Sequence, residues 1–177
     1  IKIDLVYLWV NDKDEKWQKK RKYWANKLEV NGTPEDSECR YSNNDELKYS
    51  LRSAEMYAPW INKIFIVTDN QIPDWLDTNH PKIRIIDHKE IMPEECLPCF
   101  NSNAIETCID NITELSEYFL YANDDMFFSS PVKPDDFFDK NVFASLYKCQ
   151  SKHEMAIEYI EGLARRGVDV YTNVNEL

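Results

Sequence analysis

Asn123, Asp124 and Asp125 stand directly after a short aromatic and apolar run, Tyr118 to Ala122, and directly before Met126, Phe127 and Phe128. A run of that length and composition reads as a buried strand, so the acids are expected at its carboxyl end. In an open α/β sheet that edge is where ligands bind, because the loops leaving the strands form the crevice. Two adjacent carboxylates among aromatic neighbours repel unless a cation or a shared proton offsets their charge. A hard divalent ion suits such a pair. Mg²⁺ takes one or two carboxylates and completes its octahedron with water and phosphate oxygens, and Mn²⁺ accepts the same ligands. The bland alternative is a solvated turn in which one acid caps a helix.

Other residues able to bind or react lie along the chain. A first strand over residues 3–10, rich in β-branched and aromatic types, delivers Trp9 and Asn11 to its end. A helix is expected from about Asn43 and Asn44 to Tyr57, where Pro59 stops it. On that helix Arg52 can clamp a phosphate with its planar fork, or pair with Asp45 or Glu55. Phe100, Asn101, Ser102 and Asn103 lead into an apolar-periodic helix through Ile105, Cys108, Ile109 and Ile112. Asn101 or Ser102 is its expected cap, and Glu106 lies in its first turns. His88 follows the strand Ile83–Asp87 and is a candidate acid or base, or a loop histidine bonded to backbone. Cys96 and Cys99 have the spacing of a redox or zinc pair, but no second such pair exists to complete a site.

Composition narrows the field. The 177 residues, 43% hydrophobic, suffice for one α/β domain over 1–177. A formal charge of -11 argues against general nucleic-acid binding. With three glycines and no glycine-rich phosphate loop, any nucleotide must be held in another way. Five cysteines, an odd number, fit a reducing compartment better than a secreted disulfide framework. No signal peptide and no span of 18 or more apolar residues is visible, which points to a soluble, cytoplasmic chain. The basic cluster Lys16, Lys19, Lys20, Arg21 and Lys22 reads as a solvated helix face or as a patch touching phosphates or a membrane.

These residues need an alternating scaffold. Asp14 is placed to cap a helix over residues 15–30, and a polar loop over 31–37 is the best flexible joint. The strand Ile64–Thr68 is the clearest in the chain. A loop over 131–139, an edge strand over 143–147 and a helix over 153–166 complete the pattern. Strands alternating with helices form an α/β signature.

Taken together, the motifs resemble the Stealth proteins, hexose-1-phosphoryltransferases that include bacterial capsular polysaccharide phosphotransferases and the lysosomal-enzyme N-acetylglucosamine-1-phosphotransferase. The resemblance covers residues 3–14 and about 40–138. It is carried by Trp9-Val10-Asn11, Asn44-Asp45-Glu46-Leu47, Tyr49-Ser50-Leu51-Arg52-Ser53, Gln71-Ile72-Pro73-Asp74-Trp75-Leu76, Asn101-Ser102-Asn103-Ala104-Ile105-Glu106 and Asn123-Asp124-Asp125. The chain departs from the family at several points. Asp12 and Lys13 stand near a usual turn glycine, Cys99 replaces a threonine, and Cys108 and Asp110 replace frequent histidines. Two further family blocks toward the C-terminus are not in the sequence, so a partial catalytic domain is expected.

The resemblance implies a Rossmann-like open, mostly parallel sheet flanked by helices. It implies a UDP-sugar donor, a glycan acceptor, transfer of sugar 1-phosphate and release of UMP in capsule or surface polysaccharide synthesis, by a bacterial enzyme working beside the membrane. Asp124 and Asp125 would hold the metal, with Asn123 orienting one of them. Arg52 would hold phosphate, and Trp9 and Asn11 would line the nucleotide pocket. Asn101, Asn103 and Glu106 would hold donor hydroxyls or orient the metal's surroundings. The base is Glu106, Asp125 or a residue of the missing blocks. The competing readings are an ordinary glycosyltransferase, which releases UDP, and a noncatalytic sugar-binding domain.

Overall fold

The computed structural model describes residues 1–29 and 41–138. The polar joint over 31–37, Arg40, the edge strand over 143–147 and the last helix over 153–166 lie outside the described residues.

Four strands, β1 (Ile3–Leu8), β2 (Ile64–Thr68), β3 (Ile83–Asp87) and β4 (Tyr118–Ala122), form one parallel sheet in the order β3-β2-β1-β4. The helices are α1 (Glu15–Lys27), α2 (Glu46–Tyr57), the single turn α3 (His88–Ile91) and α4 (Ser102–Glu106). This is the expected Rossmann-like arrangement. Among the described residues no helix is long and apolar enough to cross a membrane.

The strands read as continuous apolar runs because both faces of the sheet are covered. Leu5, Tyr7, Trp9 and Ile66 pack on one side with Leu47 and Ala54 of α2. Val6, Phe65, Val67 and Phe119 pack on the other with Ile91, Ile105, Ile109 and Ile112. The period-two alternation of β1 thus feeds two cores.

Helix ends differ from the sequence expectation for local reasons. Asp14 caps α1 by accepting from Lys16 N and Trp17 N, as expected, but the helix stops at Lys27. Glu29 there adopts φ 56, a left-handed terminator. The helix expected to run on to Ile112 ends at Glu106, where the Thr107 hydroxyl donates back to Ala104 O at 2.7 Å. A 3-10 turn at Ile109–Asn111 then keeps Ile105, Ile109 and Ile112 on one buried side.

One buried acid organises the amino ends of the strands. Asp4 is wholly buried, and its carboxylate accepts from Asn62 Nδ2 at 2.7 Å, Lys63 N at 2.9 Å and Ser116 N at 2.7 Å. It therefore ties the entries to β2 and β4 onto β1. Asp4→Ala strands three donors, each left unmet at about 1–3 kcal/mol, and we expect a total loss of about 3–5 kcal/mol. Urea denaturation checks this: the midpoint should fall with an unchanged slope, and a midpoint like that of the wild type would refute the role.

Candidate active site

The sheet order sends β2 and β3 to one side of β1 and β4 to the other, so the switch point lies between β1 and β4. Ligand crevices form at the carboxyl ends of strands at such a point. A cavity of about 300 Å³ opens there, walled by Trp9 after β1, Asp69 after β2, His88 after β3, and Asn123, Asp124 and Asp125 after β4. Trp17 of α1, Tyr41 and Phe100 close it with aromatic surface, and Trp17 packs 5.3 Å from the Tyr41 ring and 5.8 Å from the Phe100 ring.

The acidic loop is fastened to α2. The Tyr7 hydroxyl donates to Ser50 Oγ at 2.7 Å, and Ser50 in turn donates to Met126 O. Burial pushes the Tyr7 hydroxyl up to about 12, so it remains a donor. Phe128 N donates to Ser53 Oγ at 3.0 Å, Val132 N to Tyr57 O at 3.0 Å and Trp60 Nε1 to Val132 O at 2.7 Å. Two serines a helical turn apart on the buried side of α2 thus hold the loop that carries Asp124 and Asp125.

Asp124 is half-buried and its carboxyl is pushed up to about 6, first by burial, then by Asp125 beside it and Glu46 of α2. Asp125 is exposed. Tyr121, also on the cavity wall, donates its hydroxyl to Glu106 Oε1 at 2.9 Å and lies 3.2 Å from Asn123 Oδ1. Burial raises the Glu106 carboxyl, an effect the Tyr121 hydroxyl partly offsets. Burial and the facing Glu106 raise the Tyr121 hydroxyl far above its ordinary range.

Of the residues singled out in the sequence, Trp9, Asn123, Asp124 and Asp125 line one cavity, and Glu106 reaches its wall through Tyr121. The others stand elsewhere. Asn11 exchanges hydrogen bonds with Gln71: its N–H donates to Gln71 Oε1 at 2.8 Å and its carbonyl accepts from Gln71 Nε2 at 3.0 Å. Asn101 caps α4 by accepting from Asn103 N at 3.0 Å, and Asn103 is exposed. Arg52 is exposed with its guanidinium 5.6 Å over the Tyr49 ring, outside the cavity lining, and it makes no ion pair with Asp45 or Glu55.

His88 differs from a loop histidine bonded to backbone. Asp87 and Glu90 form a capping box that folds residues 88–91 into a helical turn. The imidazole is buried against the cavity, and Nδ1 has no hydrogen-bond partner among the described residues. Burial lowers its pKa against the opposing pull of Asp69 and Asp87, so the ring is neutral near pH 7. Trp9 Nε1 is likewise buried without a partner. No spacing rule marked Tyr121 or Glu46 as neighbours of the acids.

The lining carries Asp69, Asp124 and Asp125 but, among the described residues, no lysine or arginine. Asp69 is already paired with Lys20 of α1. An anionic ligand therefore needs a cation brought with it. No group of three His, Cys, Asp or Glu side chains able to hold a metal exists among the described residues, so a closed protein cage is absent. The donor set of Asp124, Asp125 and the Asn123 amide oxygen instead fits an ion that keeps water and ligand oxygens in its sphere, as Mg²⁺ does.

The family model for conserved region 1 of Stealth proteins matches residues 2–29, and that for conserved region 2 matches residues 40–146. The capsular polysaccharide phosphotransferase fcs1 of Haemophilus influenzae is 44% identical over 147 residues, 83% of this chain and 40% of that protein. The capsular polysaccharide phosphotransferase LcbA of Neisseria meningitidis is 42% identical over 147 residues, 82% of this chain and 40% of that protein. The exopolysaccharide phosphotransferase cps2G of Lactiplantibacillus plantarum is 46% identical over 139 residues, 78% of this chain and 40% of that protein. The chain thus spans about 40% of the length of these relatives.

The raised carboxyl of Asp124 has a thermodynamic signature. Because the folded pKa, about 6, exceeds the ordinary value of 3.8, the folded chain binds this proton more tightly than the unfolded one. Its contribution is fully present below the unfolded pKa and is lost as pH rises through the folded pKa. In chelator, melting temperatures from about pH 4 to about pH 7 should fall less for Asp124→Asn than for wild type. Superimposable profiles would count against a strained carboxylate at this position.

Proposed function

Because the chain belongs to the Stealth protein family, we propose that it is the part of a phosphotransferase that moves sugar 1-phosphate from a UDP-sugar, N-acetylglucosamine 1-phosphate in the first instance, onto a hydroxyl of an acceptor glycan. The relatives' names support phosphotransfer in polysaccharide synthesis. The observation that carries the reading is the cavity at the switch point, where paired carboxylates meet aromatic walls without a lysine or arginine among the described lining residues.

In this reaction the acceptor oxygen attacks the phosphorus that bears the sugar. The bond from that phosphorus to the bridging oxygen breaks, and UMP leaves with the electron pair. The hydroxyl proton passes to a base. Catalysis of such a step is mainly positioning and neutralisation of charge. A divalent ion held by Asp124 and Asp125, with Asn123 beside them, supplies charge neutralisation on the diphosphate when bound.

The chain's own residues do the rest of what this half of the site requires. Trp9, Trp17, Tyr41 and Phe100 give flat apolar surface for the nucleoside and exclude water from one side of it. Burial makes Glu106 a better proton acceptor than an ordinary carboxylate, and Tyr121 connects it to the cavity, which makes Glu106 a base candidate beside Asp125 among the described residues. Ser50 and Ser53 keep the acidic loop from moving when charge builds on it.

The test is the nucleotide released from UDP-N-acetylglucosamine with Mg²⁺ and an oligosaccharide acceptor, identified by mass spectrometry. UMP with a product heavier by a sugar phosphate supports the proposal; UDP with a product heavier by bare sugar makes the chain an ordinary glycosyltransferase. Asp124→Asn and Asp125→Asn should each lower the rate by about a hundredfold or more with the fold retained. Full activity in both would remove these acids from the reaction.

A further inference from the structure

The helix α1 carries six basic side chains and one acidic one among its 13 residues, in a chain with a formal charge of -11. Two of those cations are engaged at the cavity wall. Lys20 pairs with Asp69, and the Arg21 guanidinium lies 4.4 Å over the Tyr41 ring and 5.9 Å over the Trp17 ring. Lys16, Lys19, Lys22 and Lys27 are exposed instead. Asp14 at the helix start faces Lys16, and Glu15, the one acid within the helix, meets Lys19 at 3.8 Å in a contact between two exposed groups that is weak.

Aromatic surface accompanies these lysines. Tyr23 is 59% exposed and meets Trp24 edge-on at 5.6 Å, and Lys27 Nζ sits 4.4 Å over the Trp24 ring. From Lys16 to Lys27 the strip runs roughly 16 Å along the helix. Its beginning adjoins the cavity, because Trp17 is part of the lining. The strip therefore leads from the site outward.

The chemistry of the proposed reaction says what this strip meets, and the inference rests on that reaction. Each transfer leaves a phosphodiester, so an acceptor that has been extended before carries negative charge close to its reactive end. An acidic protein repels such a chain within a Debye length of about 8–10 Å unless local cations meet it. We propose that the exposed face of α1 binds the phosphodiester-bearing stretch of the acceptor glycan. Lys16, Lys19, Lys22 and Lys27 meet the phosphates, and the ring of Tyr23 stacks on a sugar. A lipid surface fits less well. The strip has polar Gln18 and Asn26 in its midst and no continuous apolar stripe to bury among acyl chains.

The test uses two acceptors, a synthetic oligosaccharide of several sugar 1-phosphate repeats and the single sugar, and, as a third ligand for binding alone, vesicles of anionic lipid. Direct binding and transfer are both read, for wild type, the double variant Lys22→Glu/Lys27→Glu and Tyr23→Ala. The wild type should bind the long acceptor more tightly than the single sugar, less so as salt rises. The double variant should bind it at least about tenfold more weakly, and Tyr23→Ala severalfold more weakly, with transfer to the single sugar unchanged. Equal binding of the long acceptor by wild type and double variant overturns the proposal. So does a loss confined to vesicles of anionic lipid, which would make the strip a membrane contact. Absence of UMP release with the binding difference intact would fault the reaction and leave the surface standing.

Discussion

The buried carboxylate of Asp4 is the interaction on which the rest of the arrangement depends. By accepting from the backbone of Lys63 and Ser116 it fixes where β2 and β4 begin beside β1. Parallel pairing then sets where they end: Ile3 lies opposite Tyr118 and Tyr7 opposite Ala122. A slip of one residue in β4 would turn Phe119 out of its core and rotate every later side chain to the other face. Asn123, Asp124 and Asp125 therefore emerge level with the turn after β1, next to Trp9, because an acid at the opposite end of the sheet holds the register. The same logic explains why a charged group is kept in a dry place. It is satisfied by three donors, and its removal exposes their cost rather than its own.

At the carboxyl ends the problem is reversed, because there the acids are not satisfied. Asp124 faces Asp125 and Glu46 while half-buried, and the lining supplies no lysine or arginine among the described residues to offset them. Relaxation would be simple if the loop were free to swing into water. Ser50, Ser53, Tyr57 and Trp60 prevent it by holding Met126, Phe128 and Val132. The electrostatic strain is thus retained by α2, which also anchors one of the two cores. Such retained repulsion is what a nearby positive charge would relieve.

Much of this was legible in the sequence where a local rule applied. The apolar runs gave the strands, Asp14 read correctly as a cap, Asn101 proved to be the cap of the two residues offered for α4, and the acids were correctly placed after β4. The residues that resisted reading act across the chain. Asn11 looked like a ligand-facing residue, yet its backbone is used to join two loops through Gln71, a partner sixty positions away. Arg52 had the right chemistry for phosphate but falls on the exposed side of α2, because Ser50 and Ala54 occupy the buried side. The serines are the instructive case. Polar residues at 50 and 53 on an otherwise apolar face interrupt the amphipathic pattern, and that interruption is the signal of a tertiary hydrogen bond.

His88 and Trp9 show an unmet demand that no motif or spacing rule reveals. A buried nitrogen without a partner costs about 1–3 kcal/mol, and native chains hold few of them. Here two lie in residues that line one cavity, one on an indole and one on an imidazole kept neutral by burial. The fold does not need either, since Trp9 would pack as well without its N–H, and His88 begins a helical turn that Asp87 and Glu90 already secure. Two residues that line one cavity therefore hold hydrogen-bonding capacity that the described part of the fold leaves unused.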